Sequence, residues 1–525
     1  MGEPALHSVE PSVIKSYDPA TLEKIGEVLA WTEPEVARAV DRAREAQERW
    51  AATSPRERGK VLLRARDYLV DNIDRISEVI SRENGKPRLE ALSSEIFPVT
   101  YLIDYFAKNA HRFLADEPVD IRLFGLLGRR SYLNRVPRGV VAVISPWNYP
   151  FSIPAGEICM ALMAGNAVLL KPARATCMIG AAIGEVYSAA GLPDGLFQVV
   201  HGSGSALMSQ KLDFIAFTGS VGVGKKIMAQ AAESLTPVML ELGGKDPMVV
   251  CHDANVEVAS STAVWGAFTN SGQVCASVER VYVHESIAET FIDKVVEKTK
   301  KLRQGHGLRF DVDLGAMCTE EQFEVVKSQV ERARDQGADI RTGGETNPEA
   351  GPGYFYKPTV MTGVGQDWEC IQEETFGPTM PIVTFKDETE AIKLANDSSF
   401  GLTAGVWTRN IARGEALARR IISGSVYVND AVFSHALAET PWGGFKDTGV
   451  GRTHGKYGLL EFTELRHIHI NRLSGVKNPW LFQYSEPGYR AFKNTAMLLR
   501  SGLGSKLGGA IGSVGHLRKA LKHIL

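Results

Sequence analysis

Apolar residues fall at helical spacing early in the chain and in short unbroken runs later. After Thr32 and Pro34, the positions Val36, Val40, Ala43 and Ala46 recur every three or four residues as far as Trp50, which predicts a capped amphipathic helix. A second helix is predicted over 55–84, with Val61, Leu62, Ala65, Tyr68 and Leu69 on one face and Gly85-Lys86-Pro87 as its stop. Alternation over 122–136, clearest in 131–136, predicts a strand pair. Four β-rich runs follow at 139–145, 167–170, 197–200 and 214–217, with helical segments at 155–163 and 225–235. Strands alternating with helices predict a doubly wound parallel sheet, whose ligands sit beyond the strand C-termini. From Pro247 the alternation resumes, with strands at 248–250 and 281–283 and helices at 255–269 and 287–301, and a late strand is predicted at 466–470. The fold class is therefore α/β, with two doubly wound Rossmann-like domains.

Composition narrows the partners. The 525 residues are 44% apolar and 23% charged, ordinary for a globular chain with room for two or three domains. A net charge of −2 offers nucleic acid no attraction. Six cysteines are scattered without C-x-x-C pairs or His at metal spacing, which points to a reducing compartment and no structural metal. Residues 1–18 lack a secretory pattern, and no run reaches the roughly 20 apolar residues that span a bilayer. A cytoplasmic location is expected, with peripheral membrane contact left open by the tail. From Gly475 to Leu525 eight basic residues stand against one acid, a net +7 that leaves −9 for the rest. Leu517, Ala520, Leu521 and Ile524 share a helical face, with Arg518, Lys519, Lys522 and His523 largely off it. Such a helix either binds a membrane surface or docks on the acidic body of the enzyme or of a neighbouring subunit.

Two stretches carry candidate chemistry. Glu241-Leu242-Gly243-Gly244-Lys245 sets a carboxylate beside glycines, and Asn270-Ser271-Gly272-Gln273-Val274-Cys275-Ala276-Ser277 sets a thiol among small residues. A free thiol has a pKa of about 8.5 and needs activation to act as a nucleophile at neutral pH. Taken singly, Cys275 reads equally as a buried structural thiol and Glu241 as a turn carboxylate. The run 214–217 leads into Thr218-Gly219 and a helix, the context of a phosphate site, although Gly219 to Gly224 is G-x-x-x-x-G and not G-x-G-x-x-G. Lys171 directly follows a buried strand, so its ammonium is expected at the ligand edge.

Together these stretches resemble the aldehyde dehydrogenase superfamily, which has a Glu in E-L-G-G-K and a Cys in G-Q-x-C at about this separation. The resemblance continues through Pro146-Trp147-Asn148-Tyr149-Pro150, Lys171-Pro172-Ala173, Phe217-Thr218-Gly219-Ser220, Glu373-Glu374-Thr375-Phe376-Gly377-Pro378 and Pro441-Trp442-Gly443-Gly444-Phe445-Lys446, in the family's order. It implies Cys275 as nucleophile, Glu241 as the base that activates water, and Asn148 as the oxyanion donor. For the cofactor it implies Gly219, Ser220 and Gly224 beside the pyrophosphate, Lys171 at the adenosine ribose, Glu374 at the nicotinamide ribose and Phe376 against the ring. The chain departs from the family at Arg174, where a carboxylate is common; Arg attracts a 2′-phosphate, so NAD and NADP both stay open. Phe433, Leu437 and Trp442 give the expected substrate mouth an apolar character, which leans toward a hydrophobic or long-chain aldehyde. The implied layout is a dinucleotide-binding domain at 1–117 and 138–246, a catalytic domain at 247–449, an arm at 118–137 and 460–473 that joins a homodimer or homotetramer, and an extension at 475–525. Two other readings share the fold. A CoA-acylating enzyme would pass its thioester to a thiol and not need Glu241, and an idle scaffold would not need Cys275 or Glu241 at all.

Overall fold

In the computed structural model, which describes residues 12–126, 128–475 and 481–500, the apolar runs become two open sheets. Val140–Ile144 lies inside the six-stranded one, every residue buried, as a strand covered on both faces must be. Ala167–Lys171 and then Phe197–Val199 lie on one side of it, Phe214–Thr218 and then Val238–Glu241 on the other, all parallel. Gly449–Val450 closes the sheet antiparallel to Val238–Glu241. The chain thus reverses its winding between Val140–Ile144 and Phe214–Thr218, and a ligand crevice is expected beyond the C-terminal ends of those strands.

The seven-stranded sheet runs in the order Asp339–Thr342, Thr359–Thr362, Thr379–Phe385, Val278–His284, Asp246–Val250, Thr403–Trp407, Ser425–Val428, with only the first strand antiparallel. Only residues 242–245 separate Val238–Glu241 from Asp246–Val250. The C-terminal edge of the first sheet therefore adjoins the N-terminal edge of the second.

Local signals explain several helix ends. Glu33–Ala51 starts at Thr32, whose backbone N–H donates to the Glu35 carboxylate at 2.7 Å. The single helix expected over 55–84 is instead two, Pro55–Asp71 and Ile73–Asn84. Asn72 breaks it: its side-chain amide donates to the Tyr68 carbonyl at 2.9 Å, so side chain competes with backbone there. Gly85, at φ 95°, ends the second in the left-handed conformation that glycine tolerates. The helix expected at 225–235 begins at Val221, immediately after Ser220, and ends at Ala232.

The strand pair expected at 122–136 is also corrected. Arg129–Pro137 pairs with Glu117–Val119, while Leu123–Leu126 is a helical turn between them. Thr463–Asn471, the late strand, adds a third strand beside Arg129–Pro137. Among the described residues, those of 115–136 and 465–500 form one compact unit, and 12–114 with 137–464 form the other. The helix expected around 517–524 lies outside the described residues. Within the extension the described element is a helix at Glu486–Arg500.

Candidate active site

Glu241 ends its strand where the two sheets adjoin, and the glycines after it let other chain segments close in. A Cβ on Gly244 would sit 2.0 Å from the Cys275 carbonyl oxygen, and one on Gly243 would sit 2.7 Å from the Glu374 carboxylate. Gly443, at φ 146°, leaves room beside Glu241 in the same way. Glycine is thus required here for close approach, and it brings Glu241, Cys275 and Glu374 to one place.

Cys275 follows a loop with three successive left-handed residues, Asn270 (φ 51°), Ser271 (φ 54°) and Gly272 (φ 74°). Outside glycine such conformations cost on the order of 1–3 kcal/mol each, so contacts must hold them. Asn270 donates its side-chain amide to the Asn148 carbonyl at 2.9 Å and to the Gln273 carbonyl at 3.1 Å, and the Ser271 hydroxyl donates to the Gly315 carbonyl at 2.9 Å. Gln273, fully buried, accepts from Cys318 N–H at 2.9 Å.

Asn148 leaves the strand Val140–Ile144 at the switch point and is buried. One of its two amide hydrogens donates to the Gln273 carbonyl at 3.1 Å, which leaves the other for a ligand. Glu374 accepts from Gly244 N–H at 2.9 Å, and Phe376, at φ 53°, sets its ring edge-on to Trp147 at 5.4 Å. Their loop is held by a buried pair: Glu279 accepts from Lys245 at 2.6 Å, from Thr375 N–H at 2.8 Å and from Phe376 N–H at 3.0 Å. Lys245, from the same motif as Glu241, is therefore a support for the loop of Glu374 and Phe376.

Burial dominates the electrostatics. It pushes the Cys275 thiol far above its ordinary value, and the carboxylates of Asp246, Glu374 and Glu241 push it further. Glu241 is raised well above the carboxylate range by burial first and by Glu157 second, with Arg452 opposing. Both Glu241 carboxyl oxygens are buried without a hydrogen-bond partner. Glu374 is raised to about 8 by burial, with Glu279 adding to it. A protonated thiol beside a buried carboxyl group needs that group, or another base, to become a nucleophile.

The remaining expected residues lie at or just beyond strand ends of the six-stranded sheet and in the segment 433–442. Gly219 follows the strand Phe214–Thr218, and its N–H donates to the Glu241 carbonyl at 3.0 Å. Ser220 caps the 12-residue helix Val221–Ala232, is exposed, and spends no side-chain bond on the cap. A Cβ on Gly224 would sit 2.6 Å from Leu242, so this glycine lets the helix pack on the strand exit. Lys171 ends its strand half-buried, its pKa lowered by burial and then by Arg174; among the described residues neither cation has an ion-pair partner. Trp442 is buried in one apolar cluster with Val274, Ala276 and Cys275. Leu437 is half-buried and Phe433 exposed. The sequence alone assigns no role to Glu90 and Glu95, marks Lys86 only as part of a helix stop, and shows Asn270 and Gln273 only as part of the Cys275 motif. For Glu90 and Glu95 the one visible signal is a polar residue inside an amphipathic stretch, which surface residues share.

Comparisons with known proteins identify the family. The profile of the Aldehyde dehydrogenase family matches residues 7–468. The chain is 41% identical over 447 residues to a 4,4'-diapolycopene aldehyde oxidase of Methylomonas sp, covering 85% of this chain and 83% of that protein. It superposes on a crystal structure of the betaine aldehyde dehydrogenase of Staphylococcus aureus in complex with NAD+ with a TM-score of 0.85 and 31% identity, over 90% of this chain and 94% of that one. It also superposes on an NADP dependent enzyme of E. coli with a TM-score of 0.84 and 31% identity, over 88% and 95% of the two chains. With the family model matching residues 7–468, a relative 41% identical over 85% of the chain and solved structures of the family sharing its fold, the chain belongs to the aldehyde dehydrogenase family.

Proposed function

We propose that this enzyme oxidises an aldehyde bearing a large apolar group to the free carboxylic acid, with NAD or NADP as oxidant. The observations that carry this reading are that Gly244 lets the strand end carrying Glu241 close on Cys275, that Asn148 is bonded to the Cys275 loop with one amide hydrogen unspent, and that both Glu241 carboxyl oxygens lack a hydrogen-bond partner. Cys275 gives its thiol proton to solvent water, the thiolate sulfur attacks the aldehyde carbon as the C=O π bond breaks, and the new oxyanion accepts hydrogen bonds from the second Asn148 amide hydrogen and the backbone N–H of Cys275. A bound nicotinamide supplies the acceptor for the hydride lost from that carbon. Glu241 then takes a proton from water as the water oxygen attacks the resulting thioester; the C–S bond breaks, Cys275 is regenerated and the acid leaves. A CoA-acylating enzyme would have no use for a buried base at Glu241. An assay for free acid against CoA thioester, run beside aldehyde-dependent NAD(P)H formation, decides between them: thioester as the product overturns the reading.

Residues of the six-stranded sheet fit a dinucleotide. The Ser220 hydroxyl and the first N–H groups of its helix suit a pyrophosphate, and the unpaired Lys171 and Arg174 suit phosphate and ribose oxygens. Arg174→Glu is expected to raise KM for NADP at least about tenfold, since a charge-assisted pair becomes a repulsive one, and to change KM for NAD far less. Equal changes for both cofactors would mean that Arg174 does not meet the 2′-phosphate. In this reading 1–117 with 138–246 holds the dinucleotide and 247–449 the nucleophile. The arm, 118–137 with 460–473, joins copies into a homodimer or homotetramer; the largely exposed edge strand Thr463–Asn471 offers unpaired backbone for that.

The apolar substrate rests on the mouth. Trp442 packs with Cys275, and His435, edge-on to Trp442 at 5.0 Å, has its pKa lowered to about 4 by burial. At neutral pH that imidazole is uncharged and gives no clamp for a carboxylate-bearing aldehyde. The similar oxidase from Methylomonas is named for 4,4'-diapolycopene aldehyde, which supports the same choice. Such an aldehyde dissolves in lipid, and the extension suits a cytoplasmic enzyme that visits a membrane surface. It is strongly basic, and its described part exposes Phe482, Tyr484, Tyr489, Phe492 and Met497 beside Arg490 and Lys493. Each basic residue near an anionic surface contributes about 1 kcal/mol. Truncation after Ser474 is expected to lower sedimentation with anionic vesicles and to lower activity on long aldehydes more than on short ones. Loss of oligomeric state, or equal loss on short and long aldehydes, would make the extension a packing element.

A further inference from the structure

The helical run after Gly85 contains one wide turn. Between the helices Arg88–Glu90 and Phe97–Phe113, residues Ala91–Ile96 are π-helical, and Phe97 N–H donates to the Leu92 carbonyl five positions back. Around an α-helix, residues five apart point about 140° away from each other. A turn closed by i→i+5 bonds brings them close to one side. The pair five apart here is Glu90 and Glu95, and both reach the active-site loops.

Glu95 is fully buried. One carboxylate oxygen accepts from Lys86 at 2.6 Å, and the other accepts from the N–H groups of Phe151 and Ser152 at 2.8 and 3.0 Å, at the start of the helix Ser152–Ala164. The Lys86 ammonium, equally buried, donates to the Asn148 carbonyl at 2.9 Å and lies 4.0 Å above the Tyr149 ring. Asn84 donates to the Trp147 carbonyl at 2.8 Å. Glu90 grips the other loop: it accepts from the Thr269 hydroxyl at 2.8 Å and from Asn270 N–H at 2.9 Å. The Asn148 carbonyl also receives the Asn270 amide, so the two grips meet on one atom.

We infer that Lys86, Glu90 and Glu95, aligned by the π turn, are positioning residues that hold the oxyanion donor Asn148 in register with the Cys275 loop. The inference rests on the proposed role of Asn148, and it assigns a use to two buried charges that none of the catalytic steps requires. Burying an ion pair costs desolvation that its own attraction rarely repays, which makes fixed geometry the gain. The required tolerance is small, because a misplacement of about 1 Å in a reacting group costs about 100-fold.

The test uses the full chain and two readouts: Cys275 acylation by an activated aryl ester without cofactor, and the first-turnover burst of NAD(P)H with aldehyde. Asn148→Ala is expected to slow both about 100- to 1,000-fold. Lys86→Met combined with Glu95→Gln removes the ammonium while keeping an oxygen for the Phe151 and Ser152 N–H groups. It is expected to slow both readouts about 10- to 100-fold, with aldehyde KM changed less than about threefold. In the Asn148→Ala background the same pair of changes should add less than about threefold, because the atom they position is gone. Glu90→Gln, which leaves Lys86 and Glu95 intact, should show the same dependence on Asn148. If Asn148→Ala has no effect, the oxyanion reading itself fails. If Asn148→Ala slows acylation but the other losses multiply with it, or if they appear in KM and thermal stability alone, the three residues are structural and the inference fails.

Discussion

Cys275→Ala is expected to abolish both aldehyde oxidation and cofactor-independent ester cleavage, each by about 10,000-fold or more, while the protein still folds. Loss of a covalent nucleophile removes the step on which every later one depends, and losses of that order follow in other enzymes. No neighbouring thiol can take over, because Cys159, Cys177, Cys251, Cys318 and Cys370 are all buried. Stability should change little. Cys275 is half-buried at the edge of the cluster of Val274, Ala276, Leu402 and Trp442, so removing one sulfur costs about 1 kcal/mol. Calorimetry checks the fold, and absorbance of NAD(P)H with aldehyde checks the chemistry. Residual turnover above roughly a hundredth of the wild-type rate would show that another group is the nucleophile.

Glu241→Gln separates the two halves of the reaction. The amide keeps the size of the carboxyl group but not its basicity, so hydride transfer proceeds while thioester hydrolysis slows about 100- to 10,000-fold. Rapid mixing should record a burst of NAD(P)H near one per active site, then slow steady turnover. Absence of the burst would overturn this division and make Glu241 the base for the thiol as well. The same assignment fixes a pH dependence. Glu241 serves only when ionised, and burial, Glu157 and Glu461 raise its pKa while Arg452 lowers it. Hydrolysis should therefore climb with pH along a limb lying above the usual carboxylate range. Glu157, itself raised to about 8 by burial, accepts from the Thr218 hydroxyl at 3.3 Å, a bond that an amide oxygen can keep. Glu157→Gln removes a neighbouring carboxylate while keeping that bond, so the limb should move to lower pH. A limb that stays put would mean that it belongs to another group.

The apolar runs, helix ends and glycine motifs show why a site can be half legible in a sequence. The unbroken runs that became Val140–Ile144, Ala167–Lys171 and Phe214–Thr218 announced a parallel sheet, because a strand covered on both faces must be apolar throughout. Thr32 with Glu35, and Gly85 at the end of Ile73–Asn84, announced helix limits through bonds that span three or four residues. The motifs around Glu241 and Cys275 could be recognised for a similar reason: close approach demands glycine at fixed spacing, as Gly244 against the Cys275 carbonyl displays. Strand partners were less legible. Arg129–Pro137 found Glu117–Val119, and not residues around 122, because alternation tells which faces a strand has but not which strand lies beside it.

What only the tertiary structure decided are the interactions between residues far apart in the chain. Lys86 reads as a helix-stop lysine until Asn148, 62 positions on, and Glu95 are seen to hold it out of water. Glu90 reads as a surface acid until Thr269, 179 positions on, donates to it. Lys245 looks like part of a catalytic motif, yet its partner is Glu279. The raised pKa of Glu241 has the same origin, since desolvation is a property of everything packed around a group and not of its neighbours in sequence. Periodicity and caps act over a single turn or pleat, so the chain order records them. A buried charge takes its meaning from partners and from the exclusion of water, and both come into being only when distant segments pack.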